Sequence, residues 1–91
     1  MAVTNINPTG TTISAGMAVE YVAVVATGNW SATPNVAWIL ATSGTPGSGN
    51  GVLELSIDSN PGETRVGTVS IGSLTFTVTQ IEDNDKGAIK L

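Results

Sequence analysis

Apolar residues alternate with threonines in the stretch Leu74-Thr75-Phe76-Thr77-Val78-Thr79-Gln80, which decides the fold. Strict alternation predicts a strand that has one buried face and one face in water. The run just before it, residues 66–71, also has strand character, and Gly72-Ser73 between the two suits a two-residue hairpin with glycine first. We therefore expect a hairpin whose last strand buries its apolar side chains and exposes its threonines.

Upstream of this hairpin, six further runs have strand character and are separated by clusters of Gly, Pro, Asn and Ser. No stretch has apolar residues that recur with the helical period of about 3.6 residues, so we expect no regular helix. Together the runs predict an all-β protein, an antiparallel β-sandwich of seven to eight strands. The six upstream runs are residues 2–6, 11–14, 19–27, 30–33, 36–42 and 52–58. The predicted core includes Tyr21, Trp38, Leu55, Ile57, Ile71, Phe76 and Val78.

The 91 residues predict one domain, residues 1–81, followed by an acidic C-terminal tail, residues 82–91. The tail begins with the acidic run Glu82-Asp83-Asn84-Asp85 and ends with Ala88-Ile89-Lys90-Leu91. No secretory signal precedes the first strand, and the chain begins with Met1, so we expect a complete gene product.

Charge and composition exclude several classes of function. Three Lys and Arg residues stand against seven Asp and Glu residues, for a net charge of −4, which argues against a nucleic-acid partner. The chain has no cysteine and no histidine, so disulfides, thiolate or histidine metal sites and histidine bases are excluded. The longest apolar run, residues 21–26, is far shorter than the roughly 20 residues that span a bilayer, so we expect no membrane insertion.

The acidic residues do not form a catalytic or metal-binding pattern. Glu54 and Asp58 lie on one strand face about 13 Å apart, beyond the spacing of about 5–9.5 Å in glycosidases. The run Asp83-Asn84-Asp85-Lys86-Gly87 resembles the start of a calcium loop, but glycine stands at the fifth position and the sequence stops before the twelfth. We therefore expect no catalytic residue, no metal site and no cofactor, and we do not expect an enzyme.

The strand at residues 19–27 is apolar on both faces. We expect the face with Tyr21 to join the core, which leaves the opposite face for a protein interface together with the apolar end of the tail. Burial of that face under the N-terminal segment is the alternative. The candidate interface consists of Val22, Val24, Ile89 and Leu91.

Two tryptophans are open to a structural and a functional interpretation. Trp38 shares its phase with Val36 and Leu40, which favours burial between the sheets. Trp30 lies beside turn residues, so it is a candidate glycan contact as well as a candidate core residue. Arg65 is expected to pair with a carboxylate or a turn carbonyl near Glu63.

Six spaced features resemble the BACON domain, an immunoglobulin-like β-sandwich found in Bacteroidetes proteins and in some of their phages. The resemblance extends over about residues 12–81, and the order of the features agrees throughout. The resemblance implies an immunoglobulin-like fold. It also implies a link to carbohydrate, which rests largely on the enzymes that accompany domains of this family. It supplies no binding motif. The matching features are Asn29-Trp30-Ser31, Trp38, the glycine-rich loop at 47–51, Asn60, Arg65 and Val78-Thr79-Gln80.

Two functions follow as hypotheses. The first is a non-catalytic structural or interaction protein, a small phage virion protein that decorates or accompanies a capsid or tail shell and assembles in the host cytoplasm. The alternative is a carbohydrate-binding or spacer module of a larger secreted or cell-surface glycan-degrading protein, with surface glycans as its partner. The two differ in whether the partner is a protein assembly or a glycan.

Overall fold

The computed structural model describes residues 3–82, and these residues form strands and loops without a helix. The protein is therefore all-β, as the alternation of the sequence predicts. The ten strands are β1 (Val3–Asn7), β2 (Gly10–Ile13), β3 (Ala18–Ala26), β4 (Asn29–Trp30), β5 (Ala32–Pro34), β6 (Ile39–Ser43), β7 (Gly47–Ser48), β8 (Gly51–Ile57), β9 (Arg65–Ile71) and β10 (Leu74–Gln80).

The strands form two four-stranded sheets and one two-stranded sheet. Sheet 1 has the order β1-β3-β8-β6 and is antiparallel throughout. Sheet 2 has the order β2-β10-β9-β5, and its edge strand β2 runs parallel to β10. The third sheet pairs β4 with β7. The strand number exceeds the expected seven or eight because β4, β5 and β7 are separate strands of two or three residues.

The β9–β10 hairpin is confirmed. Ile71 pairs with Leu74 across Gly72-Ser73, and Gly72 has a positive φ of 60°. A residue without a Cβ adopts this backbone conformation without strain, which explains glycine at the first loop position.

Buried side chains of both four-stranded sheets form one hydrophobic cluster. Five of the seven predicted core residues are fully buried in it, namely Leu55, Ile57, Ile71, Phe76 and Val78. The predictions for the other two need correction. Tyr21 is 59% exposed, and Trp38 is half-buried in a turn that precedes β6.

The phase of β3 explains the error at Tyr21. Directly paired residues of an antiparallel ladder lie on the same side of the sheet. Val22 pairs with Leu53, and Tyr21 pairs with Glu54. Because Leu53 and Leu55 of β8 are buried and Glu54 between them is not, the pairing turns the valine face of β3 inward and the tyrosine face outward.

Candidate interaction surface

The predicted interface residues of β3 belong to the core. Val22 and Val24 are almost completely buried, so they offer no surface to a partner, and the sequence-based assignment of the two faces of β3 was wrong. The N-terminal strand β1 pairs edge to edge with β3 and does not cover either face. Ile89 and Leu91 lie outside the described residues.

The exposed apolar surface of β3 is the opposite one, and it continues onto the neighbouring strands. We call it the outer face of sheet 1. Its large apolar side chains are 42–59% exposed and come from three strands: Val19, Tyr21 and Val25 of β3, Leu40 of β6 and Val52 of β8. A contiguous patch of this kind, roughly 300–600 Å² on a typical monomer, often marks a functional site.

The register of sheet 1 places these side chains in adjoining rows. Ser56 of β8 pairs with both Val19 and Leu40, which makes one row across three strands. The next row pairs Tyr21 with Glu54, and the row after it pairs Ala23 with Val52. The apolar side chains are therefore neighbours in space and not scattered over the sheet.

Polar groups accompany this patch without dividing it. Glu54 is half-buried beside Tyr21, and the hydroxyl of Thr42 donates a hydrogen bond to the backbone carbonyl of Glu54 at 3.3 Å. Asp58 follows the end of β8, and its exposed carboxyl group lies at the end of the sheet. An apolar centre beside polar groups is the usual anatomy of a protein interface.

The outer face of sheet 2 has a different chemistry. Hydroxyl side chains of β9 and β10 lie across from each other, as in the pairs Thr68–Thr77 and Ser70–Thr75. The side-chain amide of Asn35 donates to Thr68 Oγ1 at 2.9 Å and to Ser70 Oγ at 3.1 Å. The apolar residue Val66 is exposed on β9, which makes it a matched control for substitutions on sheet 1.

Trp30 is buried under the glycine-rich loop, so its assignment as a candidate glycan contact is corrected. Its side chain is only 5% exposed, and its Nε1 donates a hydrogen bond to the Gly49 carbonyl at 2.9 Å. A Cβ at Gly47 would collide with the indole ring, and Gly51 also approaches it closely. The glycines let the loop backbone lie directly on the tryptophan.

The second tryptophan, Trp38, lies between Arg65 and Gly67. The guanidinium carbon of Arg65 is 4.1 Å from the ring centroid of Trp38, a cation–π contact. A Cβ at Gly67 would lie 2.7 Å from Cζ2 of the same ring. Arg65 also donates to the backbone carbonyls of Asp58 and Ser59, at 3.2 and 3.1 Å, which lie four to five residues before the predicted partner region at Glu63.

Arg65 joins a buried polar network that sequence reasoning missed. Gln80 is fully buried, accepts a hydrogen bond from Arg65 Nε at 2.9 Å and donates to the Asp58 carbonyl at 2.9 Å. Asn60, 3% exposed, donates to the carbonyls of Glu63 and Ile81, at 2.8 and 3.0 Å. Gln80 lies in phase with the buried residues Phe76 and Val78 of β10, and this phase is the sequence signal that predicts its burial.

The spaced features of the sequence therefore hold the described part of the protein together. The glycine-rich loop encloses Trp30, while Arg65, Gln80 and Asn60 tie the end of β8 to the last strand. Every buried side-chain nitrogen and oxygen among the described residues has a hydrogen-bond partner. These residues are committed to structure, whereas the outer face of sheet 1 leaves several large apolar side chains exposed.

Residues 3–82 form neither an acidic metal cluster nor a membrane-spanning helix. No group of three or more acidic residues in this part of the chain is arranged to hold a metal ion. The calcium-like run at 83–87 lies outside it. No helix in the described part is long and apolar enough to cross a membrane.

Comparison with known proteins yields a likeness of fold. No family model matches the chain, and no curated protein matches it. Among solved structures, the chain is similar to a Bacteroides ovatus GH5 xyloglucanase in complex with a XXXG heptasaccharide, with a TM-score of 0.78 and 14% sequence identity. The match covers 87% of this chain and 19% of the xyloglucanase chain, so the chain spans about a fifth of that protein's length. At this identity, the likeness shows that the chain shares the fold of part of the xyloglucanase.

Proposed function

We propose that the chain is a non-catalytic interaction protein that docks on a larger protein assembly through the outer face of sheet 1. The observation that carries this proposal is the contiguous exposure of Val19, Tyr21, Leu40 and Val52 in adjoining rows of one sheet. Exposed apolar area costs free energy in water, and burying it against a partner recovers about 25 cal/mol per Å².

The assembly that we propose is a phage capsid or tail shell, on which the chain is a decoration or accessory protein of the virion. The proposed fold is an immunoglobulin-like β-sandwich of the BACON type, and one hydrophobic cluster shared by sheets 1 and 2 supports it. Such a protein would assemble with the particle in the host cytoplasm. Contact through apolar surface suits this role, because salt weakens exposed charge pairs much more than apolar burial.

Co-sedimentation with purified phage particles tests the proposal. Tyr21→Asp places a charge in the centre of the outer face of sheet 1 and is expected to abolish sedimentation with the particle. Val66→Asp makes the same change at an equally exposed valine of sheet 2 and is expected to leave it intact. Equal binding by both variants would place the contact elsewhere.

A second candidate function is a carbohydrate-binding or spacer module of a larger secreted or cell-surface protein. The likeness of the fold to about a fifth of a xyloglucanase chain favours it. Since Trp30 is buried and the ring of Trp38 is in contact with Arg65 and Gly67, the exposed aromatic ring for stacking on a sugar is that of Tyr21, with Glu54 beside it to accept hydrogen bonds.

Calorimetric titration with the XXXG heptasaccharide separates the two functions. The carbohydrate function requires saturable binding that Tyr21→Ala abolishes and Val66→Ala preserves. Absence of heat with this sugar, together with sedimentation on particles, supports the virion function. In either case we expect no release of reducing ends from the sugar, since Glu54 and Asp58 are four residues apart, about 13 Å along an extended strand, beyond the spacing of about 5–9.5 Å in glycosidases.

A further inference from the structure

We infer that Tyr21 and Glu54 form a receptor for an arginine side chain of the protein that covers the outer face of sheet 1. The inference rests on the proposed function and names the chemistry of the partner's contact. Three observations carry it. Glu54 lies in the middle of the apolar patch, the single cation of residues 3–82 is bound elsewhere, and an exposed aromatic ring lies beside the carboxylate.

Glu54 lies at the centre of the apolar patch and not at its rim. Its strand, β8, is an inner strand of sheet 1, with β3 on one side and β6 on the other. The row on one side of Glu54 contains Val19 and Leu40, and the row on its other side contains Val52. A partner that covers these apolar side chains therefore covers the carboxylate of Glu54 as well.

Covering Glu54 places a chemical requirement on the partner. The side chain is half-buried in the free chain, so water still reaches it. An ionised carboxylate that loses this water without a new partner costs free energy, which offsets the gain from burying apolar surface. A guanidinium group removes this cost most effectively, because it donates two parallel hydrogen bonds to a carboxylate and keeps its charge in an apolar environment.

The described part of the chain offers no cation of its own for this purpose. Arg65 is the single lysine or arginine among residues 3–82. Its guanidinium group lies over the ring of Trp38 and donates hydrogen bonds to Gln80 and to two backbone carbonyls. Five carboxylate side chains against this one cation give residues 3–82 a net charge of −4, which attracts a cationic partner.

Tyr21 completes the receptor and favours arginine over lysine. It pairs directly with Glu54 across the ladder of β3 and β8, and its side chain is 59% exposed. The Cβ atoms of directly opposite residues lie about 4.5–5.5 Å apart, so one guanidinium group can bind the carboxylate and stack on the phenol ring. The planar guanidinium group stacks on an aromatic face, whereas the lysine ammonium group is a compact point charge. Arg65 already shows this combination, since it stacks on Trp38 and donates to oxygen acceptors.

The same charges argue against a second copy of the chain as the occupant. Two copies in face-to-face contact would bring two Glu54 side chains together, and like charges in a covered contact cost free energy. Among residues 3–82, the cation that a second copy has is Arg65, which is held in its own network. We therefore assign the face to a different protein, whose surface presents an arginine among apolar side chains.

Titration of the free, full-length chain with N-acetylarginine amide, followed by NMR, tests the inference without a particle. We expect saturable shifts of the amide signals of Tyr21 and Glu54 at millimolar concentrations, and no such shift at Val66 of sheet 2. N-acetyllysine amide, which has the same charge, should bind at least about threefold more weakly. Glu54→Gln keeps the shape of the side chain and should abolish the shifts, whereas Glu63→Gln, at an exposed carboxylate before β9, should preserve them.

Co-sedimentation with phage particles gives the corresponding test in the complex. Glu54→Gln should weaken binding about tenfold or more, as expected for the loss of hydrogen bonds between charged groups. Glu63→Gln removes the same charge outside the patch and should change binding by less than about twofold.

Three results would overturn the inference: absence of a saturable shift with the arginine probe, equal affinity for the lysine probe, and shifts that persist in Glu54→Gln. The outcome for the proposed function is separate. If Tyr21→Asp abolishes sedimentation but Glu54→Gln binds fully, the inference fails and the proposed function stands. If Tyr21→Asp sediments as the parent does, the proposed function fails, while the titration still decides whether the receptor exists.

Discussion

Replacing Gln80 with leucine should lower the free energy of unfolding far more than the same change at an exposed polar residue at the end of a strand. The side chain is fully buried and holds two short hydrogen bonds, one from the Arg65 guanidinium and one to the Asp58 carbonyl, each 2.9 Å long. Leucine fills a similar volume, so the substitution removes hydrogen bonds without opening a large cavity. A hydrogen bond to a charged group contributes about 1.5–3 kcal/mol and a neutral one about 1 kcal/mol. We therefore expect a loss of about 3 kcal/mol, from a total of about 5–15 kcal/mol for a domain.

Urea unfolding followed by tryptophan fluorescence measures this loss. With a slope of about 1–1.5 kcal/mol per molar urea, the midpoint should fall by roughly 2–3 M at unchanged slope. Thr75→Val, an exposed change on the same strand, is the matched control and should change the free energy of unfolding by less than about 0.5 kcal/mol. A cost below about 1 kcal/mol for Gln80→Leu would refute the view that this network holds the end of the molecule together.

Three further substitutions probe other parts of the structure by the same unfolding measurement. Gly47→Ala should lower the free energy of unfolding by about 1–3 kcal/mol, because the added Cβ would overlap the Trp30 ring. The control Gly16→Ala places a Cβ with no atom within 4 Å and should be nearly neutral. Equal losses for the two variants would argue against this packing. Trp38→Ala should cost about 2 kcal/mol, below the roughly 3–5 kcal/mol of a fully buried tryptophan, and a cost of 4 kcal/mol or more would mean that the ring is more buried than described. Tyr21→Ser should leave stability within about 0.5 kcal/mol, since the side chain is exposed, and a larger loss would restore it to the core.

The alternation of single strands made most of the core predictable from sequence. From residue 53 of β8 and from residue 74 of β10, apolar and polar residues alternate strictly, and Leu55, Ile57, Phe76 and Val78 are buried as expected. The hairpin at Gly72-Ser73 was also predictable, because its loop length and glycine position limit the backbone geometry.

The orientation of β3 was not predictable from β3 alone. Both of its faces carry apolar residues. The charged residue Glu20 lies in phase with Val22, so local periodicity predicts that the Val22 face is exposed, whereas this face is buried. Glu20 lies near the start of the strand and is half-buried there. The deciding information is the register with β8, which pairs Val22 with Leu53, and such long-range pairing is invisible to local periodicity.

The candidate surface was predictable in kind but not in residues. A strand with two apolar faces indicates that one face needs a partner but not which one: Val22 and Val24 are buried, and the outer face carries Tyr21. Trp38 lies in a turn and not in a strand, so its apparent phase with Leu40 had no structural meaning. The buried network at Gln80 depends on hydrogen bonds between Gln80 and residues far from it in sequence, Ala15 and Arg65, which only the folded chain brings together.

Site-specific photo-crosslinking tests most directly the claim that the outer face of sheet 1 is the docking surface. A photoreactive phenylalanine derivative replaces Tyr21 in one sample and Val66 in another, and each is irradiated with purified phage particles. We predict a covalent product between this chain and a shell protein from position 21 and none from position 66. A product from position 66 alone, or from neither position while the chain still sediments with the particle, would contradict the claim.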